Sequence, residues 1–195
     1  MTDTLAAPLS KRLKAATGDT HDRLDTRIMA AAPFASRANY GRFLAVQYAF
    51  HRDLTPLYQD PALAALLPDL AERNRIGKIG DDLSDLDLAE PSVDAPPRFA
   101  PGSIDRSTAL GWLYVAEGSN LGAAFLYKAA AALGLDGDFG ARHLAGHPDG
   151  RARHWREFTG ALDGLDLGAE EEQRVVEGGR NAFIRVHELV DRHFE

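Results

Sequence analysis

The segment TGDTHDRLD, residues 17–25, combines an imidazole with carboxylates at helical spacing. His21 shares a predicted helix face with Leu13, Thr17, Leu24 and Ile28, because steps of three and four residues stay on one side of a helix. A histidine on such a face is usually a satisfied core residue. Asp25, four residues later, can fix the tautomer of a metal-ligating imidazole, although an ordinary surface pair has the same spacing. Lys14 lies two turns before His21, about 10 Å by helix rise, and suits an anionic group on a flat ligand unless it is merely solvated.

The available ligand types restrict the metal chemistry. The chain has no cysteine, and its sequence contains no Glu-x-x-His motif of the kind that a di-iron carboxylate bundle requires twice. The missing cysteine also argues against a thiaminase-like enzyme with a cysteine nucleophile. One histidine would hold a bare ion poorly, whereas iron in a porphyrin needs only one or two protein ligands. Haem is therefore the guest that fits these residues best.

A second unusual segment is GWLYVAEGSNLGAAFLYK, residues 111–128. Gly118 and Gly122 lie four residues apart on one face of a predicted helix, together with Tyr114. Each glycine costs about 1 kcal/mol relative to alanine in a helix interior. Two explanations remain open from the sequence: close packing or a kink of the helix, or close approach of the helix backbone to a flat ligand. In the second case the Ser119 hydroxyl would lie near the open coordination position of the iron.

Several segments resemble one known family. TGDTHDRLD resembles the proximal-helix signature of haem oxygenases, and LYVAEGSNLGAAFLYK resembles the distal-helix signature of their bacterial members. PFASRANYGRFLAVQY, FGARHLAGHPDGRARHWREFTGALD and GRNAFIRVHELV add matching context, so the resemblance covers nearly the whole chain. It implies a single-domain, all-α fold that holds haem b between the first helix and a kinked, glycine-containing distal helix.

The resemblance also implies an activity. Haem would be opened oxidatively to biliverdin, carbon monoxide and ferrous iron, with O₂ and electrons from a ferredoxin or an NAD(P)H-dependent reductase. His21 would be the proximal iron ligand and Asp25 its supporting carboxylate. On the other side of the haem, Gly118, Ser119 and Gly122 would form the distal wall. Asn120 would orient the ligand or a distal water.

Four further positions are interpreted through the same resemblance. Tyr114 would face the haem edge, and Gln47 would anchor distal waters. Lys14 and Arg156 would contact the propionates, and the presence of Lys14 predicts opening at the α-meso carbon. Each has a plainer alternative: a core tyrosine, a buried amide bonded to backbone, or a solvated cation. Gly160 stands where better-known relatives carry a second basic residue.

The elements that position these residues are predicted to be helical throughout. The apolar periodicity predicts helices over 9–30, 37–59, 61–66, 69–87, 105–134, 138–145, 151–163 and 170–193. The segment 89–101 contains four prolines and is predicted to be a long surface loop inside one domain that spans 1–195. Alternating strand patterns are absent from the sequence.

Composition and charge restrict the classes of partner that the chain is expected to bind. The chain has 195 residues and a net charge of −7, which argues against a broad nucleic-acid interface. A small basic cluster at Lys11, Arg12 and Lys14 would accommodate an acidic ferredoxin. The N-terminus lacks the apolar core of a signal peptide, and no run reaches membrane length, so a cytoplasmic monomer is expected.

One alternative function stays open at this point. A carrier, buffer or sensor could hold haem without opening it, because sequence motifs report a ligand cage better than turnover. The glycine-rich face favours the enzyme, since a carrier could fill that space with a second axial ligand.

Overall fold

The computed structural model describes residues 7–92 and 95–195, and helices dominate these ranges. Their bounds are α1 Leu9–Ala31, α2 Arg37–Tyr58, α3 Pro61–Ala64, a 3₁₀ turn Leu70–Arg73, α4 Ile76–Asp85, α5 Arg106–Ala131, a 3₁₀ turn Arg142–Leu144, α6 Arg151–Asp163 and α7 Ala169–Phe194. The described residues contain one isolated bridge, Asp136 with Gly140, and no strand. The all-α prediction is confirmed.

The predicted helix over 69–87 is wrong as a single element. The Asn74 side chain accepts a hydrogen bond from the backbone N–H of Ile76 at 3.1 Å. This local bond ends the 3₁₀ turn that closes at Arg73 and starts α4 at Ile76.

The predicted helix over 138–145 is also wrong. The Asp136 carboxylate accepts from the backbone N–H groups of Asp138 and Phe139, which forms a turn. Gly140 then adopts φ +75°, a left-handed conformation that interrupts a right-handed helix. Only the short 3₁₀ turn at Arg142 remains helical in this stretch.

Helix α7 supports both helices that carry the expected site. A Cβ added to Gly111 of α5 would lie 2.0 Å from the Val175 carbonyl oxygen, and one added to Gly178 would lie 2.3 Å from the Thr108 carbonyl oxygen. A Cβ added to Gly179 would lie 3.4 Å from the Thr17 side chain of α1. Glycines therefore let α5 and α7 approach backbone to backbone, with α1 packed on the same part of α7.

The first turn of α1 is fixed by two other helices. The Asp163 carboxylate of α6 accepts from the Ser10 N–H at 2.7 Å and from the Ser10 hydroxyl at 2.8 Å. The Tyr114 hydroxyl of α5 donates to the Ser10 carbonyl at 3.3 Å. These bonds hold the N-terminal end of α1, where free N–H groups need partners.

The proline-rich segment is docked on the helices rather than extended between two domains. The Arg98 N–H donates to Asp53 of α2 at 2.9 Å, and Phe99 lies edge-on to the Trp112 ring, with centroids 5.2 Å apart. Residues 93–94 of this segment lie outside the described ranges.

None of the helices in the described parts of the chain is long and apolar enough to cross a membrane.

Candidate functional site

His21 is not a core histidine. Its side chain is 53% exposed, although its neighbours on the apolar stripe, Leu13, Thr17 and Leu24, are buried. Its Nδ1 lies 3.4 Å from Asp22 Oδ1 and 3.5 Å from Asp25 Oδ2. Carboxylates on the Nδ1 side favour the tautomer that protonates Nδ1, which leaves Nε2 as the nitrogen available to a metal. Asp22 is an additional carboxylate that the helical-spacing argument did not single out.

Phe183 of α7 orients the His21 ring. The two rings are nearly perpendicular at 83°, with centroids 5.6 Å apart, and Phe183 is 9% exposed. A buried aromatic edge beside the imidazole restricts its rotation. Sequence reasoning missed Phe183, because its contact with His21 depends on how α1 packs against α7.

The glycines of α5 fall into two classes. Gly111 is held in backbone contact with α7, as described above. A Cβ added to Gly122 would meet nothing within 4 Å, and one added to Gly118 would meet the Trp155 ring at 3.6 Å, an ordinary van der Waals distance. Close helix packing therefore explains Gly111 and does not explain Gly118 or Gly122.

Two large apolar side chains extend the open face of α5. Leu121 is 38% exposed and Phe125 is 64% exposed. With Gly118 and Gly122 they follow the i, i+3, i+4, i+7 pattern of one helix face. An exposed apolar face with two missing side chains suits a flat apolar ligand. Sequence reasoning did not assign Leu121 or Phe125 to the site.

Ser119 and Asn120 differ in their surroundings. The exposed Ser119 hydroxyl donates to the Ala116 carbonyl of its own helix at 2.7 Å. Asn120 is 9% exposed, and its Nδ2 has no hydrogen-bond partner among the described residues. It lines a polar cavity of about 10 Å³, a size that suits one water molecule. An amide donor next to such a cavity fits the expectation that Asn120 orients water.

A buried ion pair lies directly before Gly118. Glu117 Oε2 is 2.8 Å from Arg73 Nη1, and the two side chains are 1% and 0% exposed. Burial raises the pKa of Glu117, and the Arg73 guanidinium opposes that rise. No sequence pattern indicates this pair, since its members are 44 residues apart.

The other expected residues lie at different depths. Tyr114 is buried; its ring lies 5.4 Å from the Trp155 ring by centroid, and its hydroxyl is bonded to Ser10, as the core alternative describes. Gln47 is half-buried on α2. Lys14 on α1 and Arg156 on α6 are exposed, so both cations are accessible to an anionic group.

The basic cluster is smaller than its sequence indicates. Arg12 forms an ion pair with Glu172 of α7, which neutralises much of its charge. Lys11 and Lys14 remain exposed.

A groove of about 590 Å³ lies elsewhere, between α2 and the end of α4. Its lining includes Arg37, Arg42 and Leu88 and none of the expected site residues.

Comparison with known proteins decides the family. The heme oxygenase family model matches residues 7–192. The chain belongs to the haem oxygenase family. It is an oxidoreductase that degrades haem and produces biliverdin.

Individual haem oxygenases match over nearly the whole chain. Heme oxygenase PigA of Pseudomonas aeruginosa is 49% identical over 185 residues, which are 95% of this chain and 92% of that protein. A crystal structure of the NO- and CO-bound heme oxygenase from Neisseria meningitidis superposes with a TM-score of 0.91 at 41% identity, covering 97% of this chain and 93% of that one. The predicted fold class and enzyme class are therefore confirmed.

Proposed function

We propose that this haem oxygenase binds one haem b between α1 and the open face of α5, with His21 Nε2 as the proximal iron ligand. The observation that carries the proposal is the exposed His21 imidazole with two carboxylates at Nδ1. Helix α7 supports this imidazole through Phe183 and also supports α5. Haem supplies the iron that activates dioxygen and the ring that is opened.

The residues of α1 hold and tune the proximal ligand. The Asp22 carboxylate accepts from Nδ1–H of His21, and the Asp25 carboxylate lies 3.5 Å from the same nitrogen, so together they fix the ring orientation and leave Nε2 for the iron. Phe183 of α7, edge-on to the imidazole, limits rotation of the ring. The imidazole is thus oriented before haem arrives, which reduces the entropy lost on binding.

The residues of α5 form the distal wall. Gly118 and Gly122 have no side chains to hold the macrocycle away from the helix backbone, and Leu121 and Phe125 cover its apolar surface. Asn120 orients a water molecule next to the wall, and Gln47 of α2 anchors further distal waters. Ser119 adds a hydroxyl at the same turn, and Tyr114 supports the wall one turn earlier as a core residue bonded to Ser10.

Two exposed cations anchor the propionates. Lys14 lies two turns before His21 on α1, and Arg156 lies on α6, which packs against α1. Fixing the propionates sets the in-plane rotation of the haem, and Lys14 places the α-meso carbon against the distal wall. We expect Lys14→Ala to convert a single biliverdin isomer into a mixture, measured by chromatography of the product. Lys11→Ala, which removes a neighbouring exposed lysine, should leave the isomer unchanged.

The protein is proposed to be a cytoplasmic monomer. Its proposed electron donor is a ferredoxin or an NAD(P)H-dependent reductase. Lys11, the exposed cation of this cluster that is not assigned to a propionate, offers a positive charge to an acidic donor. Long-range attraction of this kind weakens with salt, so the reduction rate should fall as ionic strength rises.

A haem titration tests the binding geometry. His21→Ala should abolish the histidine-ligated absorption spectrum and weaken haem binding. His187→Ala is the matched control, because His187 also pairs with an aspartate four residues later, Asp191, at 3.2 Å and is 40% exposed. Equal spectra and affinities in the wild-type protein and His21→Ala would overturn the assignment of the ligand.

A further inference from the structure

The buried pair of Arg73 and Glu117 connects several parts of the fold to the start of the glycine face. Arg73 donates from Nε to the Pro68 carbonyl at 2.9 Å and from Nη1 to Glu117 at 2.8 Å. Its guanidinium also lies 3.4 Å from the His154 carbonyl of α6 and over the Phe158 ring, 5.6 Å from the centroid. One side chain thereby joins the segment before α4 to both α5 and α6.

A second arginine contacts the other end of the same turn. Arg151 of α6 donates from Nη1 to the Asn120 carbonyl at 2.8 Å and from Nη2 to the Leu144 carbonyl. Glu117 and Asn120 bracket Gly118 and Ser119. Helix α5 is therefore held before Gly118 through the Glu117 side chain, which Arg73 contacts, and after Ser119 through the Asn120 carbonyl, which Arg151 contacts.

Stability alone does not account for a buried ion pair at this position. Removing two charges from water is costly, and apolar residues of similar volume are often as stable or more stable. Hydrogen bonds to charged groups are directional and stronger than neutral ones, so they define position well. What the pair provides here is a fixed relation between α5 and α6.

We propose that Arg73 with Glu117, and Arg151, are positioning residues that fix the turn Gly118–Gly122 of α5 against α6, and that through the packing of α6 on α1 they set the space that haem requires between α5 and α1. This inference rests on the proposed role of Gly118 and Gly122 as the distal wall. None of the three charged side chains needs to touch the substrate for this role. They act through the position of α5.

Arg73, Glu117 and Arg151 are called the clamp from here on. Hydrogen–deuterium exchange of the haem-free protein tests the clamp directly. Arg73→Met combined with Glu117→Met removes both charges together, so that neither of the two is left buried without the other, and Arg151→Met removes the contact at Asn120. In each variant, amides of residues 118–125 should exchange about tenfold faster than in wild type, the factor that corresponds to one lost charged hydrogen bond. Amides of residues 182–190 in α7 should keep their wild-type rates.

Arg153→Met is the matched control, because Arg153 lies on the same helix as Arg151, is 61% exposed and pairs only with Glu157 among the described residues. It should change neither set of amides. Unchanged exchange at 118–125, or equal acceleration in α7, would overturn the inference. If the double variant does not fold, Arg151→Met alone decides the result.

The haem complex provides a second readout. Haem release from the ferric complex, followed by transfer to an excess of apomyoglobin, should be about tenfold faster in the clamp variants, since less haem contact is preorganised. Gly118→Leu is measured in parallel. If Gly118→Leu alters haem release and the clamp variants do not, the clamp is refuted while the distal wall stands. If none of the variants alters release, the distal wall itself is refuted, and the clamp with it.

Discussion

Substituting alanine for two glycines of α5 should have opposite effects on stability. Gly122 lies in a helix interior where an added Cβ meets nothing within 4 Å. Removing the helix penalty of glycine should therefore raise the free energy of unfolding by about 0.5–1 kcal/mol in the haem-free protein. At Gly111 the added Cβ would lie 2.0 Å from the Val175 carbonyl oxygen, so backbone must move. Overpacking of this kind costs about 1–3 kcal/mol, which exceeds the gain in helix propensity.

At Gly122, a larger side chain should weaken haem binding even though it does not destabilise the haem-free protein. A leucine there would occupy the space proposed for the macrocycle, while it remains a good helix former. Gly122→Leu should thus be at least as stable as wild type without haem and bind haem at least tenfold more weakly, a difference of about 1.4 kcal/mol in binding free energy.

Urea unfolding of the haem-free variants and haem titration by absorbance measure both effects. Gly111→Ala serves as the reference for a packing glycine. A loss of stability in Gly122→Ala would show that its face is packed against protein. Full haem affinity in Gly122→Leu would show that the open face of α5 does not contact the substrate. Either result refutes the division of the glycines into two classes.

Three further substitutions test other parts of the structure. Burial lowers the pKa of His51 from 6.5 to about 3, so between these pH values the unfolded chain binds a proton that the folded protein does not. The free energy of unfolding should therefore fall as pH drops through that window, by up to about 1.4 kcal/mol per pH unit. In urea unfolding, His51→Leu should show a weaker dependence of this free energy on pH. Asp163→Ala removes the two bonds to the first turn of α1 and should cost about 1–2 kcal/mol in guanidinium unfolding, whereas the exposed Asp166→Ala should cost almost nothing; equal losses would contradict the capping role. Phe183→Leu should cost about 1 kcal/mol and speed haem release by freeing the His21 ring, measured by stopped-flow transfer to apomyoglobin, with the exposed Ile184→Leu unchanged on both counts.

The helices could be predicted from the sequence because apolar periodicity fixes most of them. The errors come from side chains that bond to nearby backbone. Asn74 and the Asp136 turn interrupt stretches whose periodicity alone predicts helix. Such local bonds compete with helix formation in ways that a periodic pattern does not record.

The candidate site was predictable where its residues are close in the chain. His21 and Asp25 lie on one helix, so their spacing predicts their contact. The spacing of Gly111, Gly118 and Gly122 could not separate packing from open glycines, since that depends on which helix lies opposite. The Arg73–Glu117 pair required the fold, because only tertiary packing brings its members together.

Turnover of bound haem tests most directly whether His21 and the open face of α5 form a working haem oxygenase site. The haem-loaded protein is given a reductant and oxygen, with catalase present to remove free hydrogen peroxide, and its absorption spectrum is followed. We expect loss of the Soret band and formation of biliverdin, with His21→Ala inactive and His187→Ala active. A stable haem spectrum with no biliverdin in the wild-type protein would instead indicate a haem carrier.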